Sequence, residues 1–191
     1  MAYNQKESAN KKDESMHVFL TGERQIGKSR ALSRAVERLG LPCYGFRTRF
    51  LTKERGSSSL YMVSPSRPDD LRPECAVAEL REGKMRPLTE RFDTWGVQLL
   101  REARGHPEGL ILMDECGHLE KNAMLFQREI LACLDGHVPV LGVLRKDQEW
   151  HAFIKRHPAV RVLTVDESNR AAIDDEIVAL IREQMPSMDR Y

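Results

Sequence analysis

An excess of charge of either sign is absent from this sequence: 30 lysine and arginine residues stand against 29 aspartate and glutamate residues, for a formal net charge of +1. A balanced chain produces no overall field that draws it to nucleic acid or to an anionic membrane surface. Apolar runs that approach the roughly 18 residues of a membrane-spanning helix are also lacking, and no signal-peptide pattern opens the chain. We therefore expect a cytoplasmic protein with no nucleic-acid or membrane partner.

Cysteine is scarce, and the four cysteines are dispersed at Cys43, Cys75, Cys116 and Cys133. They form no C-x-x-C pair, and no histidine spacing resembles that of a zinc site, so we expect no zinc-binding module. Dispersed cysteines are typical of a protein from the reducing cytosol.

A length of 191 residues suits one domain with a substantial core. Residues 1–15 are polar and have almost nothing to bury, which predicts a disordered tail. We assign residues 16–191 to a single domain and expect a monomer.

The pattern G-x-x-x-x-G-K-[ST] occupies residues 22–29. It follows the apolar run at residues 18–20 and leads into apolar residues at helical spacing, which is the strand–loop–helix context of a phosphate-binding P-loop. Backbone N–H groups of such a loop converge on phosphate oxygens, a lysine reaches the β- and γ-phosphates and a serine hydroxyl ligates Mg²⁺. We expect Lys28 to lie on an exposed loop. The residues predicted to bind nucleotide are Gly22, Glu23, Arg24, Gln25, Ile26, Gly27, Lys28, Ser29 and Arg30.

The rest of the chain alternates between apolar runs and amphipathic segments, which predicts a mostly parallel sheet with helices on both faces. Residues 44–51 and 60–63 are predicted to form a β-hairpin excursion, and residues 64–90 to be irregular around an edge strand at 75–80. The fold class is therefore α/β, a three-layer P-loop fold. Further strands are predicted at 110–113, 138–144 and 160–165, and helices at 93–104, at 124–134, around Trp150 and from near Ser168 onward.

Two carboxylates, Asp114 and Glu115, follow the apolar run at residues 110–113. Ligands of parallel α/β sheets bind outside the carboxyl ends of the strands, so Asp114 is expected to lie near Lys28 and Ser29 and to hold Mg²⁺ together with Ser29. Glu115 is placed to polarise a water for attack on the γ-phosphate. The alternative is that the acidic pair only opens a surface loop.

A cation also ends one of the predicted strands. Arg145 is a candidate catalytic residue that neutralises charge on the transferring phosphoryl group, and the alternative is an ordinary solvated pair with Lys146. Arg24 is a weaker candidate for the same role. Glu120 either braces the loop that carries Glu115 or stabilises a helix dipole.

Several segments together resemble the cancer-related nucleoside-triphosphatase family. The loop at 22–29 is one, and the run D-E-C-G-H-L-E at 114–120 resembles that family's D-E-I-G-x-M-E pattern, with Phe126 as the aromatic residue that follows. The run P-V-L-G-V-L at 139–144 resembles its P-V-[IL]-x-x-[VL] pattern. G-F-R-T at 45–48 and N-R at 169–170 also match, so the resemblance covers about residues 16–184.

The resemblance implies Mg²⁺-dependent hydrolysis of nucleoside triphosphates such as ATP or GTP to diphosphate and phosphate, with broad nucleotide use and slow turnover. The chain departs from the family pattern at Gln25, where a glycine is usual, and at Arg49, where an acid is usual. Two other functions stay open. One is a kinase whose small-molecule acceptor binds under residues 51–90, and the other is a nucleotide-dependent switch that binds a protein partner.

Overall fold

A computed structural model describes residues 17–52 and 58–184. The predicted tail at residues 1–15 lies outside the described residues. Eight strands form one sheet: β1 (His17–Gly22), β2 (Cys43–Thr52), β3 (Ser58–Val63), β4 (Ala76–Arg81), β5 (Lys84–Pro87), β6 (Leu110–Cys116), β7 (Val140–Leu144) and β8 (Val160–Val165). The α-helices are α1 (Lys28–Leu39), α2 (Thr89–Arg91), α3 (Val97–Arg104), α4 (Met124–Leu134), α5 (Ala152–Lys155) and α6 (Ile173–Gln184).

The strand order is β5-β4-β3-β2-β6-β7-β1-β8. The pairings of β2 with β6, β6 with β7, β7 with β1 and β1 with β8 are parallel. The pairings of β2 with β3, β3 with β4 and β4 with β5 are antiparallel. The predicted α/β class, with a mostly parallel sheet and an antiparallel excursion, is therefore confirmed.

The central strands are apolar on both faces because helices cover both sides of the sheet. Side chains alternate along a strand, so Val18 and Leu20 pack with α1 and α6, whereas Phe19 packs on the opposite face with residues of α3 and α4. In the same way, Leu112 packs on the face of the sheet that α1 and α6 cover, and Met113 packs on the opposite face. This burial explains why the sequence shows continuous apolar runs at these strands.

The segment at residues 64–90 is more ordered than its sequence indicated. Instead of one edge strand, β4 and β5 form a hairpin that extends the sheet. Glu82 and Gly83, with φ values of 51° and 73°, make the two-residue turn between the strands, a conformation that fits tight hairpins. The short strand β5 is missed by hydrophobic pattern because most of its residues are exposed.

Two predicted helices differ from the observed ones at their starts. The last helix, α6, begins at Ile173 and not near Ser168, because the Asp166 carboxylate accepts hydrogen bonds from the backbone N–H groups of Ser168 and Asn169 and holds a turn there. The helix expected from residue 93 begins four residues earlier with α2, and a π-helical turn at Phe92–Gly96 joins α2 to α3. Across residues 17–52 and 58–184, no helix has the length and apolar character that crossing a membrane requires.

Candidate functional site

The P-loop connects β1 to α1, and Gly22 is the residue at which the strand ends. Its φ is +138°, and a Cβ atom added there would lie 2.3 Å from the backbone oxygen of Val165 in β8. No other residue fits this close approach between two neighbouring strands, so the start of the loop depends on a glycine.

Gln25 lies in the middle of the loop, and its φ of 63° is in the left-handed region. An L-residue with a side chain pays about 1–2 kcal/mol for this conformation. The position is the one at which the resembling family usually has glycine, the residue that adopts this conformation without that cost. Gly27, with φ of 109°, then caps the N-terminus of α1.

Lys28 is the first residue of α1 and is only 8% exposed, so the expectation that it lies on an exposed loop is wrong. Its side chain turns back over the loop, and Nζ donates to the backbone oxygens of Gly22 (3.1 Å) and Glu23 (2.8 Å). Burial lowers the pKa of the Lys28 ammonium, while the carboxylates of Glu115, Glu23 and Asp114 act against this effect. The charged nitrogen is thus held directly over the phosphate loop.

Ser29 and Asp114 meet at the carboxyl ends of the strands, as the sequence predicted. The Ser29 hydroxyl donates to Oδ1 of Asp114 over 2.8 Å. Asp114 is 8% exposed, and burial raises the pKa of its carboxyl, with the Ser29 hydrogen bond and the charges of Arg47 and Lys28 opposing the rise. A hydroxyl and a carboxylate are hard oxygen donors that suit Mg²⁺.

This pair fits a metal that a nucleotide brings with it. In the described ranges, no group of three or more His, Cys, Asp or Glu side chains is placed to hold a metal ion. Mg²⁺ prefers six oxygen ligands, so an ion held by Ser29 and Asp114 would need further oxygen ligands, such as those of phosphate groups and water.

Glu115 follows Asp114 within β6, which continues to Cys116 instead of ending at Met113 as predicted. The pairing of β6 with β7 changes register between Met113 and Cys116. Glu115 is half-buried, and burial raises the pKa of its carboxyl, while the charge of Lys28 lowers it. The carboxylate pair therefore belongs to the sheet and not to a surface loop.

Arg145 and Lys146, next to each other after β7, have different partners. Lys146 forms an ion pair with Glu23 of the P-loop. Nη1 of Arg145 donates to Nδ1 of His118 over 3.0 Å, and the backbone N–H of Arg145 donates to the oxygen of Cys116 over 3.0 Å. The Arg145 guanidinium thus faces the site, and no carboxylate within residues 17–52 and 58–184 forms a hydrogen bond or an ion pair with it.

A cavity of about 710 Å³, called here the P-loop cavity, brings most of the predicted residues together. Two predicted residues do not line it: Ile26 packs against the core, and Asp114 lines a neighbouring cavity. Asp147 and Gln148 also line the cavity but were not predicted, because the only indication in the sequence is their position directly after Arg145 and Lys146. The lining residues are Gly22, Glu23, Arg24, Gln25, Gly27, Lys28, Ser29, Arg30, Glu115, Arg145, Lys146, Asp147 and Gln148.

The peptide groups of Gly117, two residues after Glu115, are held from two sides. Oε2 of Glu120 accepts a hydrogen bond from the Gly117 N–H over 3.0 Å. The Gly117 oxygen accepts from Nε1 of Trp150 (2.7 Å) and lies 3.1 Å from Nε2 of His151. Glu120 is 2% exposed, and burial raises its pKa to about 7. Glu120 thus braces this loop, one of the two roles considered from the sequence, whereas the contribution of Trp150 and His151 was not foreseen.

The chain is similar to known proteins in sequence and in fold. A family model described as "NTPase" matches residues 17–178. The chain is 22% identical to the nucleoside-triphosphatase THEP1 of Natranaerobius thermophilus, over 88% of the chain and 98% of the relative. It is 26% identical to the cancer-related nucleoside-triphosphatase homolog of Mus musculus, over 88% and 97%. The solution structure of a human cancer-related nucleoside triphosphatase superposes with a TM-score of 0.68 at 22% identity, over 87% of this chain and 97% of that one.

Proposed function

Because the chain belongs to the NTPase family, whose model matches most of it, we propose that it hydrolyses nucleoside 5′-triphosphates to diphosphate and phosphate in the P-loop cavity, with Mg²⁺. The family relation makes the chain a nucleoside-triphosphatase. The observation that supports this site is the hydrogen bond between Ser29 and Asp114 beside Lys28 and Glu115. Three side chains of types that phosphoryl transfer uses, those of Lys28, Ser29 and Glu115, therefore line the P-loop cavity, and Asp114 is hydrogen-bonded to one of them.

Binding of the triphosphate is assigned to the loop and to Lys28. The backbone N–H groups between Gly22 and Ser29 and the N-terminus of α1 favour negative charge. Nζ of Lys28 already lies against the loop backbone, so it reaches phosphate oxygens with a short movement. Ser29 and Asp114 would hold Mg²⁺, which when bound neutralises charge on the phosphate oxygens.

Glu115 is assigned the role of the base. Its carboxylate accepts a proton from a water as the water oxygen bonds to the γ-phosphorus and the bond to the β,γ-bridging oxygen breaks. A carboxyl whose pKa is raised by burial holds that proton better than an exposed one. The Gly117 contacts with Glu120, Trp150 and His151 fix the backbone two residues away and so orient Glu115.

Arg145 is assigned to the negative charge that develops on the transferring phosphoryl group. The hydrogen bond to Nδ1 of His118 requires the imidazole tautomer that carries its proton on Nε2. Burial and the charge of Arg145 both lower the pKa of His118, which keeps the imidazole neutral and able to accept this bond.

Broad nucleotide use is part of the proposal. The loop contacts belong to the phosphates, which all nucleoside triphosphates share. Slow turnover, which the resemblance to the cancer-related nucleoside-triphosphatase family implies, belongs to the same proposal.

The test is phosphate release from ATP, GTP, CTP and UTP with Mg²⁺ and with excess EDTA. We expect release from all four with Mg²⁺ and nearly none in EDTA. Lys28→Ala should weaken binding of a fluorescent nucleotide by roughly 1.5–3 kcal/mol, and exposed Lys84→Ala is the matched control. Equal nucleotide affinity in Lys28→Ala and wild type would contradict the assignment of the loop.

A further inference from the structure

A second cavity, of about 730 Å³, adjoins the P-loop cavity and shares Ser29 and Glu115 with it. We call it the Arg47 cavity. Asp114 and Glu115 form one part of its wall, and Arg47, Arg49 and Ser64 form another. A ligand there would lie beside Ser29 and Asp114 and next to Glu115, the residue assigned as the base.

Strand alternation brings two cations to this cavity. Arg47 and Arg49 are two residues apart on β2, so their side chains leave the same face of the strand. Phe50, which has the opposite orientation, lines a different cavity of about 370 Å³. The alternation of the strand thus directs both arginines to the Arg47 cavity and Phe50 to the other.

Arg47 has hydrogen-bonding capacity that its neighbours do not use. Its Nη2 donates to the Ser33 hydroxyl over 3.1 Å, but its Nε is buried and has no hydrogen-bond partner among residues 17–52 and 58–184. Arg49, by contrast, donates to the oxygen of Pro68 (2.5 Å) and to Asp69 (3.1 Å). A buried guanidinium N–H without a partner is uncommon in folded proteins.

The charges of the wall define the kind of molecule that fits. Guanidinium groups bind carboxylates and phosphates, often with two parallel hydrogen bonds. The carboxylates of Asp114 and Glu115 repel an anion from their own part of the cavity but accept a hydrogen bond from a hydroxyl. A molecule with an anionic group at Arg47 and a hydroxyl at Glu115 satisfies both parts.

We propose that the Arg47 cavity binds a small organic anion, a phosphate monoester or a carboxylate that also carries a hydroxyl, as the acceptor of the γ-phosphoryl group. The proposal rests on the proposed function, because it requires a triphosphate in the P-loop cavity. The acceptor oxygen bonds to the γ-phosphorus, the bond to the β,γ-bridging oxygen breaks, and the hydroxyl proton passes to Glu115. The products are a nucleoside diphosphate and the phosphorylated anion, and water takes the place of the acceptor when none is bound.

The first experiment measures the site separately from turnover. The protein is saturated with Mg²⁺ and an ATP analogue whose β,γ-bridge is an imido group, and inorganic phosphate is then titrated by calorimetry. We expect saturable binding that Arg47→Met weakens roughly tenfold or more, with Arg47→Lys intermediate. Arg128→Met on the exposed face of α4 is the control. Arg49→Glu, which places a negative charge on the cavity wall, is the second variant and should also weaken binding.

Absence of saturable phosphate binding to the loaded protein would overturn the proposal, and so would equal affinity in wild type, Arg47→Met and Arg49→Glu. Failure of the ATP analogue itself to bind would instead overturn the proposed function.

The second experiment measures transfer. With MgATP, glycerol 3-phosphate and glycerate are compared as acceptors, which separates phosphate-bearing from carboxylate-bearing molecules. With at least one of these acceptors, we expect wild type to form more ADP than inorganic phosphate, because part of the phosphate is transferred to the acceptor. Arg47→Met is expected to form ADP and inorganic phosphate in equal amounts. If a probe binds in an Arg47-dependent way while ADP and phosphate stay equal, the acceptor role is overturned.

Discussion

Oγ of Ser29 lies 2.8 Å from Oδ1 of Asp114, although 85 residues separate them in the sequence. Ser29 follows the loop after β1 and Asp114 lies within β6, and these two strands are not neighbours because β7 lies between them in the sheet. The contact therefore depends on the order of three parallel strands as well as on the two side chains.

Asp114→Asn tests this contact as a metal site. The amide keeps an oxygen that accepts the Ser29 hydrogen bond but loses the charge that binds Mg²⁺. We expect nucleotide affinity to fall about tenfold or more in the presence of Mg²⁺ and to change little in EDTA. Titrations of a fluorescent nucleotide under the two conditions measure the difference, and an equal loss in both would show that Asp114 acts on the fold and not through the metal.

Glu115→Gln separates binding from hydrolysis. The substitution keeps the size of the side chain but removes the carboxylate that we propose accepts the proton of water. We expect affinity for MgATP within about threefold of wild type and hydrolysis at saturation slower by about 10²–10⁴-fold. Glu176→Gln, on an exposed position of α6, is the control. Wild-type turnover in Glu115→Gln would remove Glu115 from the mechanism.

Gly22→Ala and Gly40→Ala each place a side chain at a positive φ, 138° at Gly22 and 66° at Gly40, and they differ in the space around the added Cβ. An added Cβ lies 2.3 Å from the Val165 oxygen at Gly22 and meets nothing within 4 Å at Gly40. We expect Gly40→Ala to cost about 1–2 kcal/mol of unfolding free energy and Gly22→Ala to cost about 1–3 kcal/mol more. Urea denaturation measures both, and equal costs would contradict the close approach of β1 and β8.

Glu120→Gln tests the pKa of about 7 that burial gives this carboxyl. An ordinary glutamate in the unfolded chain has a pKa near 4.3, so between that value and about 7 the folded protein holds a proton that the unfolded chain has lost. Stability must then fall as pH rises through this window and level off above it, by a few kcal/mol in total. The glutamine can still accept the Gly117 N–H bond but does not titrate.

The measurement is urea denaturation of wild type and Glu120→Gln at pH 5, 6, 7 and 8. From pH 5 to pH 7 the free energy of unfolding of wild type should fall relative to that of the variant. Above pH 7 the difference between the two proteins should stay constant. Parallel curves over the whole range would show that Glu120 titrates in the ordinary acidic range.

Features that depend on neighbouring residues in the chain could be predicted from the sequence. The buried strands could be predicted because helices cover both their faces and leave continuous apolar runs, and the P-loop because its glycines, lysine and serine are contiguous. The burial of Lys28 could not, because it results from the side chain turning back to the carbonyls of Gly22 and Glu23. The motif contains the same lysine whether its ammonium group is exposed or buried, so the sequence does not reveal the burial.

The contacts of Gly117 were missed for a related reason. Trp150 and His151 are more than 30 residues from Gly117 in sequence, and both act on a backbone oxygen. A backbone acceptor leaves no residue-type signal, so a tryptophan that donates to it reads as an ordinary core residue. Strand β5 was missed because a short strand with mostly exposed residues carries little of the alternation that marks a half-buried strand.

The position of β1 in the sheet has a consequence for how the protein is made. Within the described residues, β1 pairs with β7 and β8, which span Val140–Leu144 and Val160–Val165. The strand that leads into the P-loop is therefore synthesised well before both of its partners, and it has no strand to pair with until β7 has been made. Such non-local pairing is slow and leaves apolar strands exposed in the meantime. A nascent or truncated chain that stops after β6 would carry every residue of the phosphate loop and both carboxylates, and would still lack β7, the strand that joins β1 to β6 in the sheet.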